Sequence, residues 1–561
     1  MSLLRLTDSI SAGLLTGAAS LIVIALNPVP ASAFVALMAG QSARPLHGTF
    51  NTVPVLHSNQ PEEVEGEGIL ISTAPGSSIA AENGQPLRNA EYTFNGDFGL
   101  HIHHKYFPPY RASISASERR SELNLAAILI NPGSASVRIR FQSGAVRNSF
   151  EAPYLANNLM GVKPLGPRPW NTGPGDATAV QMLRNKLDSR LIDEIVVPPR
   201  SRVVLFNTPL PALGIANALL RGRSDGPFQV AVVAVKNPTS DQDVVSVLDS
   251  GRLAPGRVYL NRIQDINNRR VFSRVGGVAI GDQYQAVIAH DLRSQGALHV
   301  PFTSTIRHDF GTREVQVNPL VSRMADSSLD NVGTYGVRFD VEFNLRGDGP
   351  YELVMSHPSP TGGRSFTAFR GSIQIQTEEG IRDVHVGLRS GQSLSLATLQ
   401  LRPNTNNLVR VSMVYPADAT PGHLLSVVPS SQLAMVQQRA RELELARMAA
   451  PAARPTTPPP PPGAPAALTA VPPPPVIDVL PSAPPLLPPL PAFRTPNPPL
   501  WQPPPSLPDI NQSSLPPRAA RVQPLPTGVT IQGGLPASDR PDRYRRALQA
   551  QVDYLRGLET P

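Results

Sequence analysis

Two histidines two residues apart, His101 and His103, have the types and spacing best suited to chemistry in this chain. On a strand, residues i and i+2 point to the same face. Two neutral imidazoles there can share Zn2+ or Cu2+ when a third ligand arrives from elsewhere. Asp97, in the phrase Asp97-Phe-Gly-Leu-His101-Ile-His103-His104, is the candidate third ligand, with His57 and His47 as alternatives. A divalent metal on His101, His103 and Asp97 is therefore the one cofactor the sequence offers. His-x-His is a weak motif by itself. The competing reading is structural: histidines hydrogen-bonded near a strand end, beside Lys105 and Tyr106.

Other chemistry finds less support. Glu62, Glu63, Glu65 and Glu67 form an acidic run, but without ligands at a defined calcium spacing it reads as a solvated turn. There is no Gly-x-Ser-x-Gly, no His-Glu-x-x-His and no phosphate-cradling glycine loop. Asp340 and Glu342 alternate as solvent-facing residues do, which makes them surface groups rather than a glycosidase pair. Arg346-Gly347-Asp348 reads as a turn. With no cysteine in 561 residues, disulfides, thiolate metal sites and cysteine nucleophiles are excluded.

The elements that must position these residues are strands. In Val337–Leu345 odd positions are apolar and even positions polar, the period of a sheet with one wet face. Val137–Phe141 and Ser372–Gln376 repeat the pattern. Glu378-Glu379-Gly380 then turns the chain toward a return strand at Val384–Val386. Leu408–Tyr415 is another strand, stopped by Pro416. Ala126–Ile130 and Ala231–Val235 are continuous apolar runs, as strands buried on both faces require. Each run is followed by an Asn-Pro turn, about 106 residues apart, a spacing that suggests a duplicated sandwich. Two helices are expected inside this region, over Ala179–Ile192 and Leu213–Arg221.

The ends of the chain differ from its middle. Arg5, the apolar run Ile10–Leu26 and the small-residue motif Ala31-Ser32-Ala33 read as an export signal over 1–33; an uncleaved membrane anchor is the alternative. Ser431–Ala450 reads as an exposed helix. Residues 451–527 hold runs such as Pro458–Pro462, which form neither helix nor sheet. As polyproline II, at about 3.1 Å per residue, this segment reaches on the order of 200 Å. Ser538–Leu558 is a candidate amphipathic helix, capped by Ser538 with Pro541 in its first turn.

Short phrases in fixed order carry a resemblance. They are Val53-Pro-Val-Leu-His-Ser-Asn-Gln-Pro-Glu62, Glu67-Gly-Ile-Leu-Ile-Ser-Thr73, His103-His104, Ile130-Asn131-Pro132, Tyr335-Gly336-Val337, Phe369-Arg370-Gly371 and Tyr415-Pro-Ala-Asp-Ala-Thr-Pro421. From about residue 44 to 428 the chain resembles a cyanobacterial family of exported proteins classed as a domain of unknown function. The resemblance implies export and a cyanobacterial source, and brings no activity, ligand or catalytic residue. The proline-rich tail is outside it.

The expectation is an all-β protein of one or two β-sandwich domains. These are a β-sandwich over 44–250 and a second sandwich or continuation over 251–428. A helix over 431–450, a disordered proline-rich stalk over 451–527 and a short C-terminal helix over 538–558 follow. The formal charge of +8 on an exported chain points to anionic wall polymer or exopolysaccharide rather than nucleic acid. The expected function is that of a non-catalytic cell-envelope or cell-surface protein. Its location is periplasm, outer envelope or extracellular, with no integral membrane span after signal cleavage. A protein partner is expected at the C-terminal helix. The rival is a glycan-active enzyme, metal-dependent through His101 and His103.

Overall fold

Apolar strands between residues 54 and 280 close into one sandwich, and those between 283 and 429 into a second. The computed structural model describes residues 35–109, 123–154, 160–166, 172–268, 273–360, 365–417, 419–449 and 518–519. The expected signal segment, the C-terminal helix and the proline-rich segment apart from Arg518–Ala519 lie outside the described residues.

The first sandwich contains β1 (Pro54–Ser58), β2 (Gly68–Ser72), β3 (Asp97–Tyr106), β4 (Leu123–Asn131), β5 (Val137–Asn148), β6 (Glu194–Val197), β7 (Ser201–Leu210), β8 (Ile215–Ser224), β9 (Gln229–Lys236) and β10 (Gly276–Ile280). Helix α1 (Pro174–Leu183) lies between β5 and β6 in the chain. One sheet runs β6-β5-β8-β3-β1-β10, and the other β7-β4-β9-β2. Their inner faces enclose one core, with Phe94, Phe98 and Phe228 among its largest fully buried side chains. Burying such faces against each other is what holds an aligned sandwich together.

The second sandwich contains β11 (Gln283–Asp291), β12 (Leu298–Phe302), β13 (Arg338–Arg346), β14 (Gly349–Ser356), β15 (Thr367–Thr377), β16 (Gly380–Arg389), β17 (Ser393–Leu401), β18 (Asn407–Val414) and β19 (His423–Pro429). Its sheets run β11-β13-β18-β15-β16 and β12-β19-β14-β17. The alternation read in Val337–Leu345 is that of β13: Phe339, Val341, Phe343 and Leu345 are buried in the second core while Asp340, Glu342 and Asn344 are not. Helix α2 (Ser430–Ala449) follows β19 directly. Val35 and Leu37 pack with its Leu433 in a small separate cluster.

Three expectations change. Residues 213–221 are not helical: they lead into β8, which hydrogen-bonds to β3 on one side and β5 on the other. Central position in a sheet overrides the helix preference of Ala and Leu. The helix expected over 179–192 runs instead from Pro174 to Leu183, with proline in its first turn, where the missing N–H costs nothing. The echo between Ala126–Ile130 and Ala231–Val235 is not a duplication. The two runs are neighbouring antiparallel strands of one sheet, Ala231 opposite Ile128. They look alike because both are buried on both faces.

The chain also crosses between sandwiches more than once, where the sequence placed a single boundary between 250 and 251. Strands 318–323 and 330–331 return to the first sandwich beyond β10, and strands 49–50 and 161–164 join the second. Helix α1 lies against both: its Ala179 and Leu183 pack with Leu219 of β8 and Val414 of β18.

Candidate functional site

Strand β3 is central in its sheet, so alternation decides what each of its residues meets. Phe98, Leu100 and Ile102 enter the first core. His101 and His103 point to the opposite face, on the side of α1 and the second sandwich. They are 2 % and 0 % exposed. Register brings His57 of β1 directly beside His101, with the two Nδ1 atoms 3.3 Å apart.

The Asn331 side-chain N–H2 can only donate, and makes a long 3.5 Å contact to His57 Nε2. One proton lies between His57 Nδ1 and His101 Nδ1, and the outer nitrogen of His101 is Nε2. That Nε2 is buried and has no hydrogen-bond partner among the described residues. His103 Nδ1 donates to Asn217 Oδ1 at 2.9 Å, and Asn217 Nδ2 donates to Thr178 Oγ1 on α1 at 2.5 Å. His104, on the other face, donates from Nδ1 to the Pro61 carbonyl at 2.7 Å and pairs through Nε2 with the Ser58 hydroxyl at 2.8 Å.

Burial favours the neutral form of His57, His101 and His104. It lowers His57 and His104 from 6.5 to about 3. His101 also lies well below its ordinary value, through burial first and then the neighbouring His57, His103 and His104. Neutral imidazole is the ligand form, yet the expected metal set is not assembled. Asp97 sits four residues from His101, roughly 13 Å along an extended strand, and forms an ion pair with Arg223 at 3.2 Å. Among the described residues, no three His, Asp or Glu side chains stand in a metal-holding group. Of the alternatives the sequence offered, His57 reaches His101.

Rings continue the site into the second sandwich. Tyr335 stacks on His101 with centroids 6.2 Å apart, and Tyr415 stacks on Tyr335 at 5.8 Å. His423 follows Tyr415 at 5.9 Å, and His357 follows His423 at 5.2 Å. Gly336 makes room beneath this column: its φ is +76°, and a Cβ there would lie 3.2 Å from His101 Cβ. The column joins the two cores through polar but uncharged groups.

Two further clusters escaped the sequence reading. Ser372 Oγ and His385 Nδ1 each lie 3.2 Å from Asp176 Oδ2 at the start of α1. The carboxylate stands between serine and histidine, so the imidazole is not placed to take the hydroxyl proton as a nucleophile triad requires. Glu62 belongs to the acidic run read as a solvated turn, but it bonds Lys105 Nζ at 2.6 Å and lies 3.6 Å from Arg274 Nε. Burial pushes its carboxyl up, and Lys105, Arg274 and His103 outweigh that to hold it at about 2. Neither cluster had a local sequence signal, because Asp176 lies 196 positions from Ser372 and Glu62 lies 43 from Lys105.

Fold and site together define an all-β protein of two sandwiches joined by a buried imidazole–aromatic layer. The chain belongs to the family described as protein of unknown function (DUF3370), whose model matches residues 41–429. No curated protein matches the chain.

Proposed function

We propose that this is an exported, non-catalytic protein of the cell envelope or cell surface, contacting anionic wall polymer or extracellular polysaccharide. The observation that carries the reading is the sealing of His101 and His103, at 2 % and 0 % exposure. Those two histidines are closed to a polymer. A polymer meets the sheet faces instead. On β13 and its neighbours, Asp340 accepts from Gln283 Nε2 at 2.6 Å, Arg338 Nε at 2.8 Å and Ser412 Oγ at 2.5 Å. Glu342 accepts from Arg410 Nε at 2.8 Å. Such a fixed polar face suits a hydrated, hydroxyl-rich ligand. Export is supported by the Ala31-Ser32-Ala33 motif after an apolar run, and an anionic partner by the net charge of +8. No described helix is long and apolar enough to cross a membrane.

The test is co-sedimentation of the mature chain, residues 34–561, with isolated cyanobacterial sacculi and with acidic exopolysaccharide across a salt series. Pelleting that weakens as salt rises is the expected result. A chain that stays in the supernatant with both polymers at low salt sinks the reading.

A further inference from the structure

At the edge of the second sandwich, between β11 and β12, lies a cleft of about 350 Å3. The segment 41–46 crosses its mouth. The Arg44 N–H donates to the His299 carbonyl of β12 at 2.8 Å. The Arg44 side chain reaches the other way, to His290 Nδ1 of β11 at 2.7 Å. His290 and His299 are buried, and Gln41, Ser42 and Gln295 line the cleft with Arg44.

The polarity of this lining is one-sided. Arginine can only donate, so His290 Nδ1 accepts, and its Nε2–H is satisfied by the Gly296 carbonyl at 2.9 Å. His299 Nε2 pairs with the Gln41 amide oxygen at 2.6 Å, and the Ser426 hydroxyl meets His299 Nδ1 at 2.8 Å. The Gln295 amide oxygen accepts the Asp291 N–H at 3.0 Å. Both amides therefore have their oxygens engaged inside the protein and their N–H2 ends left for the cleft. No carboxylate lines it. Asp291, next to His290, turns its carboxylate to the N–H groups of Arg293 and Ser294. Arg44 Nη1 is held by His290 Nδ1 and the Ala289 carbonyl, so what remains is the Nε–Nη2 side of the guanidinium, two amide N–H2 groups and the Ser42 hydroxyl.

From this geometry we infer that the cleft binds one ring of an acidic sugar, a hexuronate. The Arg44 fork takes the carboxylate, and Gln41, Gln295 and Ser42 meet ring and hydroxyl oxygens. A single planar guanidinium matches a single carboxylate in a bidentate, charge-assisted pair. The amides and hydroxyl supply the neutral donors that a sugar's oxygens need. The inference rests on the proposed contact with acidic polymer and names the residues that read the acid.

The test titrates the mature full chain with glucuronate, glucose and acetate, read by calorimetry. Glucuronate binds with a constant on the order of millimolar, while glucose and acetate each bind about ten-fold more weakly or not at all. Arg44→Gln weakens glucuronate about ten-fold or more, and Arg44→Lys, which keeps the charge but loses the fork, falls between. Arg44 is exposed, but Arg44→Gln takes the donor from buried His290 Nδ1, so its melt falls modestly and binding is compared at a temperature where both variants remain folded. Equal binding of acetate, or glucuronate binding unchanged in Arg44→Gln, overturns the assignment. Salt-sensitive pelleting with acidic polymer that survives alongside absent glucuronate binding rejects the cleft and leaves the polymer reading standing. Loss of both rejects the two together.

Discussion

The contact of His57 with His101, Nδ1 to Nδ1 at 3.3 Å inside the protein, captures how this chain uses histidine. Changing His101 to Ala removes that hydrogen-bond partner and the surface beneath Tyr335. The expected cost is about 2–4 kcal/mol in urea unfolding, while a chelator leaves the wild-type Tm unmoved. A chelator-sensitive melt would restore the metal reading. The same residues predict acid sensitivity. Burial holds His57 and His104 at about 3 and His299 and His357 at about 4, against 6.5 when unfolded. Below 6.5 the unfolded chain binds more protons than the folded one, so stability falls with pH. This contribution is complete above 6.5 and is lost progressively toward 4 and then 3. Glu62, held at about 2 against 4.5, adds a loss in the same direction below 4.5. Tm should decline steadily from pH 6.5 downward, and a flat profile from 7.5 to 4.5 would contradict this account.

At the scale of elements, legibility followed burial geometry. The β13 strand was readable because one face is wet and the other dry, and the β15–β16 hairpin because Glu378-Glu379-Gly380 marks its turn. Strand β8 was not readable, since both faces are buried and no alternation survives to oppose its Ala and Leu content. The His101–His103 pair was legible as a shared face, and His57 was among the partners the sequence offered, but Asn217, Asn331 and Tyr335 were not. These arrive through the chain's long-range topology, which local sequence does not encode. The same holds for Arg257 and Asp326, 69 residues apart, whose ion pair is 0 % exposed on both sides and is joined by Gln60. Arg257→Met strands a buried carboxylate and should cost about 3–5 kcal/mol, whereas adding Asp326→Leu recovers part of that loss. Denaturant titration of the two variants checks it; an additive double variant would show that the pair is not coupled. At the N-terminal edge, Val35 and Leu37 pack on α2. A chain beginning at residue 40 should therefore melt lower than one beginning at 34.

At the scale of the whole molecule, two cores share one helix and one column of rings, so they should unfold together. Helix α1 bonds the second sandwich through Asp176 and through the Arg184–Asp383 ion pair at 3.0 Å. Calorimetry should give a single transition for residues 34–449 at the Tm of the full chain; two separated transitions would show that the α1 junction does not couple the cores. The charge and the polar sheet faces belong to this scale too, since a polymer is longer than any one strand. The central claim is that the chain holds an acidic polymer and does not cut it. The most direct measurement is the count of reducing ends in acidic exopolysaccharide after prolonged incubation with pelleting amounts of residues 34–561. The account predicts bound protein and no new reducing ends. Release of reducing ends in proportion to protein would contradict it and return the chain to the enzymes.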